Sequence, residues 1–474
     1  MESHSFFLMR NELLLVGLAL VLLLAELVTP ESKKQAIIPL AAILFGLVTA
    51  AGFLPLPEGE LFGGSFVTNT MTQLMKNILN LGVFIVFLQS FTWLKREENQ
   101  GKIAEYFILL LSTLIGMNYM ISSGDFLMMY LGLELATIPI AAVAAFEKFS
   151  EKSAEAGIKL ILTSALSSGI LLYGLSFIYG TTGSIYFEDI VSRLSINPLQ
   201  TFGLVFFIAG MAFKISLVPF HLWTADVYEG APITVTAYLS VVSKGAAAFT
   251  FMIILFRVFG AMTEVWQPLL YTLAVATMTV GNLFAIRQNN LKRFLAFSSI
   301  AQAGFILLGI LQAGELGMAT VVYFVLIYVF TNLAAFGVVS IISEASGRER
   351  ITDYNSLYKT NPRLSLTMLL AMFSLAGIPP VAGFFGKFFL FTAAGAKGYY
   401  ILVLIAVLNA TISLYYYLRV IKAMLIDHSD EPIATFRTPL SARIGLMICI
   451  LGIFTIGFAG FIYDYISTIS FGIN

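Results

Sequence analysis

Four ionisable residues stand inside runs that otherwise read as hydrocarbon: Glu134 in MYLGLELATIPIAAV, Lys214 in GMAFKISLVPF, Lys244 in SVVSKGAAAF and Lys387 in GFFGKFFLF. A charge at membrane depth is costly, faces protein or water, and marks ion or proton paths. A lysine buried alone tends toward its neutral form, and a nearby glutamate restores its proton. A lysine whose proton affinity depends on a mobile carboxylate is therefore a proton switch. A static ion pair that only fixes helix packing would use the same residue types. Three separate mid-membrane lysines together with a pair of broken helices favour proton movement, and two of the lysines flank the breaks, Lys214 just before Pro219 and Lys387 just after Pro379-Pro380.

Two further titratable residues carry less weight. Lys159 lies near the end of its apolar run, where reaching the bilayer boundary competes evenly with a functional role. His221 lies in the break LVPFHLW, where it either relays protons near neutral pH or holds the helix end by hydrogen bonding. Asp226, Tyr228 and Glu229 fall in TADVYEGAP, which reads as a short turn. Ser298, Ser299 and Gln302 read mainly as interhelical packing and hydrogen-bonding groups.

The elements that must position these residues are membrane helices. Of 474 residues, 58% are hydrophobic and 11% charged, against about 25% charged in soluble domains. Apolar runs of roughly 18–25 residues recur from end to end, the mark of an all-α polytopic membrane protein. About fourteen spans are expected, from 12–29 to 441–464. The first could mimic a signal peptide, but it lacks an A-x-A site and another span follows at once, so it is kept as a membrane helix. The single cysteine, Cys449, excludes an intrachain disulfide, and no Cys/His cluster suggests a metal centre. There is no GxxxxGK[ST] phosphate loop, and zero net charge gives no support to nucleic-acid binding.

Topology follows from the basic residues. With the N-terminus outside, the outer connections hold only Arg10, Lys76, Arg193, Arg257 and Lys397 of the 27 lysines and arginines. The longest outer connections are expected at 55–75 and 180–201. Spans four to eight and nine to thirteen form two sets of five, and an odd number inverts the second set relative to the first. The fourth member of each set carries a break, LVPFHLW (217–223) and GIPPVAGFFG (377–386). Paired interruptions point to a site at mid-membrane, because proline opens the helix ladder and the freed carbonyls need partners away from lipid. The domain reading is 1–103, an N-terminal three-helix segment; 104–258 and 259–426, two inverted five-helix repeats; and 427–474, a C-terminal helix.

The segments AFKISLVPFHLWTADVYEGAP, SVVSKGAAAF, KRFLAFSSIAQAGF and GIPPVAGFFGKFFLF together resemble the subunit N family of proton-translocating NADH–quinone oxidoreductase, respiratory complex I. The resemblance covers essentially the whole chain. TADVYEGAP favours subunit N over the related L and M subunits, as do a lysine at 387, where M usually has glutamate, and an end just after span fourteen without L's lateral helix. The resemblance implies a non-redox subunit of a translocase enzyme. Glu134 would be the span-five glutamate that pairs with the span-seven lysine, Lys214. Lys244 would be the central lysine, Lys387 the exit-side lysine, and Lys159 the span-six lysine of subunit N. It also implies neighbours K and M, and a multi-pass place in the bacterial cell inner membrane with the N-terminus periplasmic. No cofactor is expected in this chain; NADH, FMN, iron–sulfur clusters and quinone would belong to partner subunits. Span ten departs from the family pattern, because many relatives carry SSISHMGY and this chain has SSIAQAGF, with Gln302 in place of a titratable histidine. Two alternatives stand beside this reading: a subunit of a multi-subunit cation/proton antiporter, and a structural spacer.

Overall fold

Phe, Leu, Ile and Val dominate segments too long and too uniformly apolar to fold in water, and they become helices because lipid offers no partner for an open backbone. The computed structural model of the chain describes residues 5–472. The helices are α1 (Arg10–Val28), α2 (Ile37–Gly52), α3 (Thr70–Leu94), α4 (Ile103–Ile121), α5 (Phe126–Ala144), α6 (Glu151–Thr182), α7 (Phe187–Arg193), α8 (Pro198–Ile215), α9 (Leu222–Gly230) and α10 (Ile233–Tyr238). They continue with α11 (Lys244–Arg257), α12 (Thr263–Ile286), α13 (Leu291–Gln312), α14 (Glu315–Ser346), α15 (Leu357–Thr360), α16 (Pro362–Ala376), α17 (Ala382–Ala396), α18 (Tyr400–Leu425), α19 (Leu440–Phe458) and α20 (Gly460–Thr468). Among the described residues, thirteen helical segments are long and apolar enough to cross a membrane, and the shorter α16 and α17 together supply a further, interrupted crossing. The chain is thus an all-α, multi-pass membrane protein of about fourteen crossings.

Three crossings form the centre. Windows of α13 and α14 are wholly buried inside the bundle, and that of the segment 233–257 is 94% buried. Ionisable groups on these helices are shielded from lipid, the condition under which a membrane protein tolerates them. The remaining helices wrap this centre and present Leu, Ile and Phe side chains outward.

The two interruptions share one local geometry. At the first, Ser216 adopts a left-handed conformation (φ 65°), its N–H bonds to the Phe213 carbonyl, and Leu217 N–H bonds to the Ala212 carbonyl. At the second, Gly377 is left-handed (φ 86°), its N–H bonds to the Ser374 carbonyl, and Ile378 N–H bonds to the Phe373 carbonyl. Both are Schellman-type helix ends, each followed by a cis proline, Pro219 and Pro380. Val218 N–H donates to Thr277 Oγ1 across the first gap (3.0 Å).

Several expectations are corrected at element ends. The connection at 55–75 contains a β-hairpin, β1 (Gly59–Leu61) against β2 (Phe66–Thr68). Helix α3 begins at Thr70, because Asn69 and Thr72 form a reciprocal capping box. Lys76 is therefore not on a surface connection. It is buried and pairs with the buried Glu12 of α1 at 2.6 Å, with its ammonium 4.9 Å from the Phe66 ring centroid. The connection at 180–201 contains α7, and Thr224–Gly230 of TADVYEGAP is helical, the bulk of α9, with only Ala231 and Pro232 beyond its end. The last crossing ends at Phe458, and α20 follows after a bend.

Candidate functional site

Lys214 sits in the last turn of α8, one residue before the helix ends, so its side chain emerges at the interruption. It faces a cavity of about 30 Å³ shared with Thr137, Ser164 and Ser243. About 10–15 Å³ holds one water molecule, so this space suits a short hydrated contact. Lys214 Nζ donates to Thr137 Oγ1 of α5. Glu134 lies one turn earlier on the same helix, and successive turns share a face. Its carboxylate makes no ion pair within 4.0 Å among the described residues, and its buried Oε1 has no hydrogen-bond partner. The expected Glu134–Lys214 contact is thus open in this conformation, with Thr137 holding the lysine.

Lys244 follows a π-helical turn, Leu239–Ser243. Such turns are rare and cluster at functional sites. The extra residue shifts the register between α10 and α11. Lys244 is 3% exposed. Its ammonium donates to Ser299 Oγ at 2.5 Å and to the Ser299 carbonyl at 3.3 Å on α13, and lies 5.8 Å from the Tyr228 ring centroid.

Lys387 on α17 is also buried. Its ammonium donates to the Leu375 carbonyl (2.8 Å) and the Ala376 carbonyl (3.0 Å), the two groups that the end of α16 leaves without helical donors. The Phe305 ring lies 4.9 Å away. The glycines of the break make this approach possible. A Cβ on Gly383 would fall 1.7 Å from the Ser374 carbonyl oxygen, and one on Gly377 would sit 3.0 Å from Lys387 Cδ.

Residues of α13 and α18 connect the Lys244 and Lys387 neighbourhoods. Gln302 Nε2 donates to the same Leu375 carbonyl at 3.2 Å and to the Tyr417 hydroxyl at 3.1 Å. The Tyr417 hydroxyl also shares a hydrogen bond with the Ser298 hydroxyl, 2.6 Å away, in which either oxygen can donate. Ser298 and Gln302 are four residues apart and share one face of α13, while the adjacent Ser299 faces Lys244. A cavity of about 10 Å³ beside Lys387 is lined by Gln302, Tyr328, Thr331 and Ser374. Helix α13 therefore carries hydroxyl or amide groups to both lysines.

Lys159 and His221 lie elsewhere. Lys159 is 38% exposed and joins an ion-pair network, at 2.5 Å from Glu155 and 2.8 Å from Asp226. Arg293 pairs with Asp226 (2.8 Å) and Glu229 (3.0 Å) in the same network. Burial raises the affinity of the Asp226 carboxyl for a proton, but the bonds from Lys159 and Arg293 outweigh it and hold the group below the ordinary range. This network ties α6, α9 and α13 together on the membrane face that carries most basic residues. His221 occupies the N-cap position of α9 without a capping side-chain bond, and its buried Nδ1 has no partner among the described residues.

Sequence reasoning missed Thr137, Tyr417 and the Leu375 carbonyl. Thr137 was findable as the residue three positions after Glu134, on the same helix face. Tyr417 stands in a Tyr415-Tyr416-Tyr417 run with nothing to set it apart, and a backbone carbonyl has no residue signature.

Lysines held at paired helix interruptions inside a bundle of membrane helices mark a membrane transport subunit. A family model, NADH:quinone oxidoreductase/Mrp antiporter, TM, matches residues 123–413. The NADH-quinone oxidoreductase subunit N of Phocaeicola vulgatus is 53% identical over 98% of this chain and 99% of its own length. That of Azobacteroides pseudotrichonymphae is 49% identical over 100% and 99%. A chain of respiratory complex I from Thermus thermophilus with bound aureothin superposes with a TM-score of 0.82 at 28% identity, covering 96% of this chain and 98% of that one. A chain of the Mrp complex from Dietzia superposes at 0.86 with 20% identity, a likeness of fold. The chain belongs to the NADH:quinone oxidoreductase/Mrp antiporter family and, within it, to the subunit N branch.

Proposed function

We propose that the chain moves protons through the membrane arm of NADH–quinone oxidoreductase along a relay of Glu134, Lys214, Lys244 and Lys387. Protons taken up from the cytoplasm reach Lys244, exchange with Lys214 under the control of Glu134, and cross α13 to leave by Lys387. The subunit itself is non-redox. NADH oxidation and quinone reduction occur at FMN, iron–sulfur clusters and quinone in partner subunits, and that energy alters the Glu134–Lys214 pairing. Subunits K and M are its neighbours, and the N-terminus faces the periplasm across a bacterial inner membrane, as the excess of basic residues on the opposite face favours. Residues 104–258 and 259–426 act as inverted repeats between the flanking segments 1–103 and 427–474, a reading supported by the matching geometry of the two breaks.

The observation that carries the relay is the placement of Lys244 and Lys387 on either side of α13 with polar groups between them: Ser299 on Lys244, Ser298 on Tyr417, and Gln302 beside Lys387, where the Leu375 carbonyl only anchors both donors and the proton itself passes by way of water. A hydroxyl such as Tyr417 or Ser298 can accept one proton while releasing another. It can thus replace the histidine that this chain lacks in span ten. Lys159 in this reading tunes proton uptake through Asp226, and His221 serves the same mouth. At 100 mV each proton costs about 2.3 kcal/mol to move across, so the open Glu134–Lys214 gap is read as one state of a gate. The test is Lys244→Ala and Lys387→Ala in the reconstituted complex. Both should assemble yet lose proton pumping and coupled quinone reduction, and normal pumping in either variant removes that lysine from the path.

A further inference from the structure

A cavity of about 990 Å³ opens between α16 and α19. Its walls are apolar: Leu366 and Leu370 from α16, and Met447, Ile450 and Phe454 from α19. Leu366, Met447 and Phe454 are 50%, 53% and 41% exposed, so the chain does not cover them. One end of the groove is strongly basic, with Arg363, Arg437 and Arg443 lining it together. The arginines that form ion pairs among the described residues are Arg96 and Arg293, which leaves these three guanidinium groups without a carboxylate. Among the described residues, Arg443 donates a hydrogen bond to the Thr438 carbonyl alone, at 3.3 Å.

The dimensions discriminate between occupants. Arg443 and Phe454 are eleven residues apart on α19, about 16 Å at 1.5 Å per residue. Half of a hydrocarbon core of about 30 Å is one leaflet, about 15 Å. Beyond Phe454 the groove closes where α19 packs on the second interruption: a Cβ on Gly457 would lie 3.0 Å from Ala382 N and 3.2 Å from the Pro380 carbonyl oxygen. A crossing helix of a partner would need a groove of full bilayer depth. An acyl chain needs one leaflet.

We propose that this groove is a binding site for one anionic phospholipid of the leaflet on the basic face of the protein. Its phosphate sits among Arg363, Arg437 and Arg443, where the planar guanidinium fork matches phosphate oxygens. Its acyl chain lies along Leu366, Met447 and Phe454. Basic pockets between membrane helices on this side are suited to anionic headgroups. The lipid braces α16, whose terminal carbonyls hold Lys387. That consequence rests on the relay reading, whereas the binding itself does not.

The experiment uses the intact purified complex containing this chain, delipidated and then exposed to vesicles of phosphatidylcholine carrying a phosphatidylglycerol with a photoactivatable acyl chain. Cross-links are expected on Leu366, Met447 or Phe454. With each interfacial arginine worth about one kcal/mol toward anionic lipid, Arg363→Gln, Arg437→Gln and Arg443→Gln together should weaken labelling roughly a hundredfold. Met447→Trp, which fills the groove and keeps the arginines, should abolish it as well. Equal labelling by a photoactivatable phosphatidylcholine, full competition by soluble glycerol phosphate, or unchanged labelling in both variants overturns the proposal. So does efficient cross-linking of a Met447→Cys variant to a neighbouring subunit in native membranes. Loss of pumping in Lys387→Ala leaves lipid labelling intact, which separates failure of the relay from failure of the site.

Discussion

Tyr417→Phe removes one oxygen atom from the polar contacts between α18 and α13, the helix that lies between Lys244 and Lys387. The hydroxyl meets Ser298 Oγ at 2.6 Å and accepts from Gln302 Nε2 at 3.1 Å. The phenyl ring retains its packing against Tyr416, with centroids 4.6 Å apart, and against Phe294 at 6.0 Å. Two hydrogen bonds at about 1 kcal/mol each give a stability loss of about 2 kcal/mol, small enough for assembly to persist. If the same ~2 kcal/mol enters the barrier for proton passage, the rate falls roughly thirtyfold. Gln302 keeps its bond to the Leu375 carbonyl, so the Lys387 environment survives while the hydroxyl link is gone. The assay is proton uptake into proteoliposomes containing the whole complex, read beside NADH-driven quinone reduction. Tyr416→Phe is the control. Its hydroxyl also loses a buried bond, a 2.8 Å donation to Asn282 Oδ1, but that bond leads away from both lysines. Pumping should fall in the Tyr417 variant and hold in the Tyr416 variant. Equal pumping in the two, with equal assembly, would refute a route through Tyr417.

Two further outcomes follow from buried packing. Gly377→Ala forces a left-handed non-glycine residue, at about 1–2 kcal/mol, and pushes its methyl against Lys387 Cδ. Pumping should drop, while Gly395→Ala, which meets nothing within 4 Å, should leave it unchanged, and matching effects at the two glycines would count against the Lys387 geometry. Lys76→Met leaves the buried Glu12 carboxylate alone and should cost about 3–5 kcal/mol of stability, whereas Glu12→Gln with Lys76→Met should recover most of that loss. Thermal unfolding of the purified complex in detergent measures both, and a harmless single Lys76 variant would show that the pair is not desolvated as its 2%/1% exposure states.

The membrane class was legible because hydropathy is a local property. A run such as 315–346 must be a helix in lipid whatever surrounds it. Glu134, Lys214, Lys244 and Lys387 stood out for the same reason: each is a costly charge in an apolar run. The prolines marked both breaks, since a missing N–H is written in the sequence. Hydropathy alone starts α3 six residues late and so leaves Lys76 on a connection, whereas the Asn69–Thr72 cap starts the helix at Thr70 and buries it.

What only the tertiary structure decided is which groups meet. Thr137, not Glu134, contacts Lys214; Ser299 takes the Lys244 ammonium; and the Leu375 carbonyl joins Lys387 to Gln302. Tyr417 approaches Ser298 from 119 residues away. Lys159, at the end of its span, joins a partly exposed ion network with Glu155 and Asp226. The sequence determines where a charge must be hidden, because the cost of burying it depends on its own segment. It does not determine the partner, because hydroxyls and backbone carbonyls on other helices can each satisfy a lysine, and helix packing selects among them.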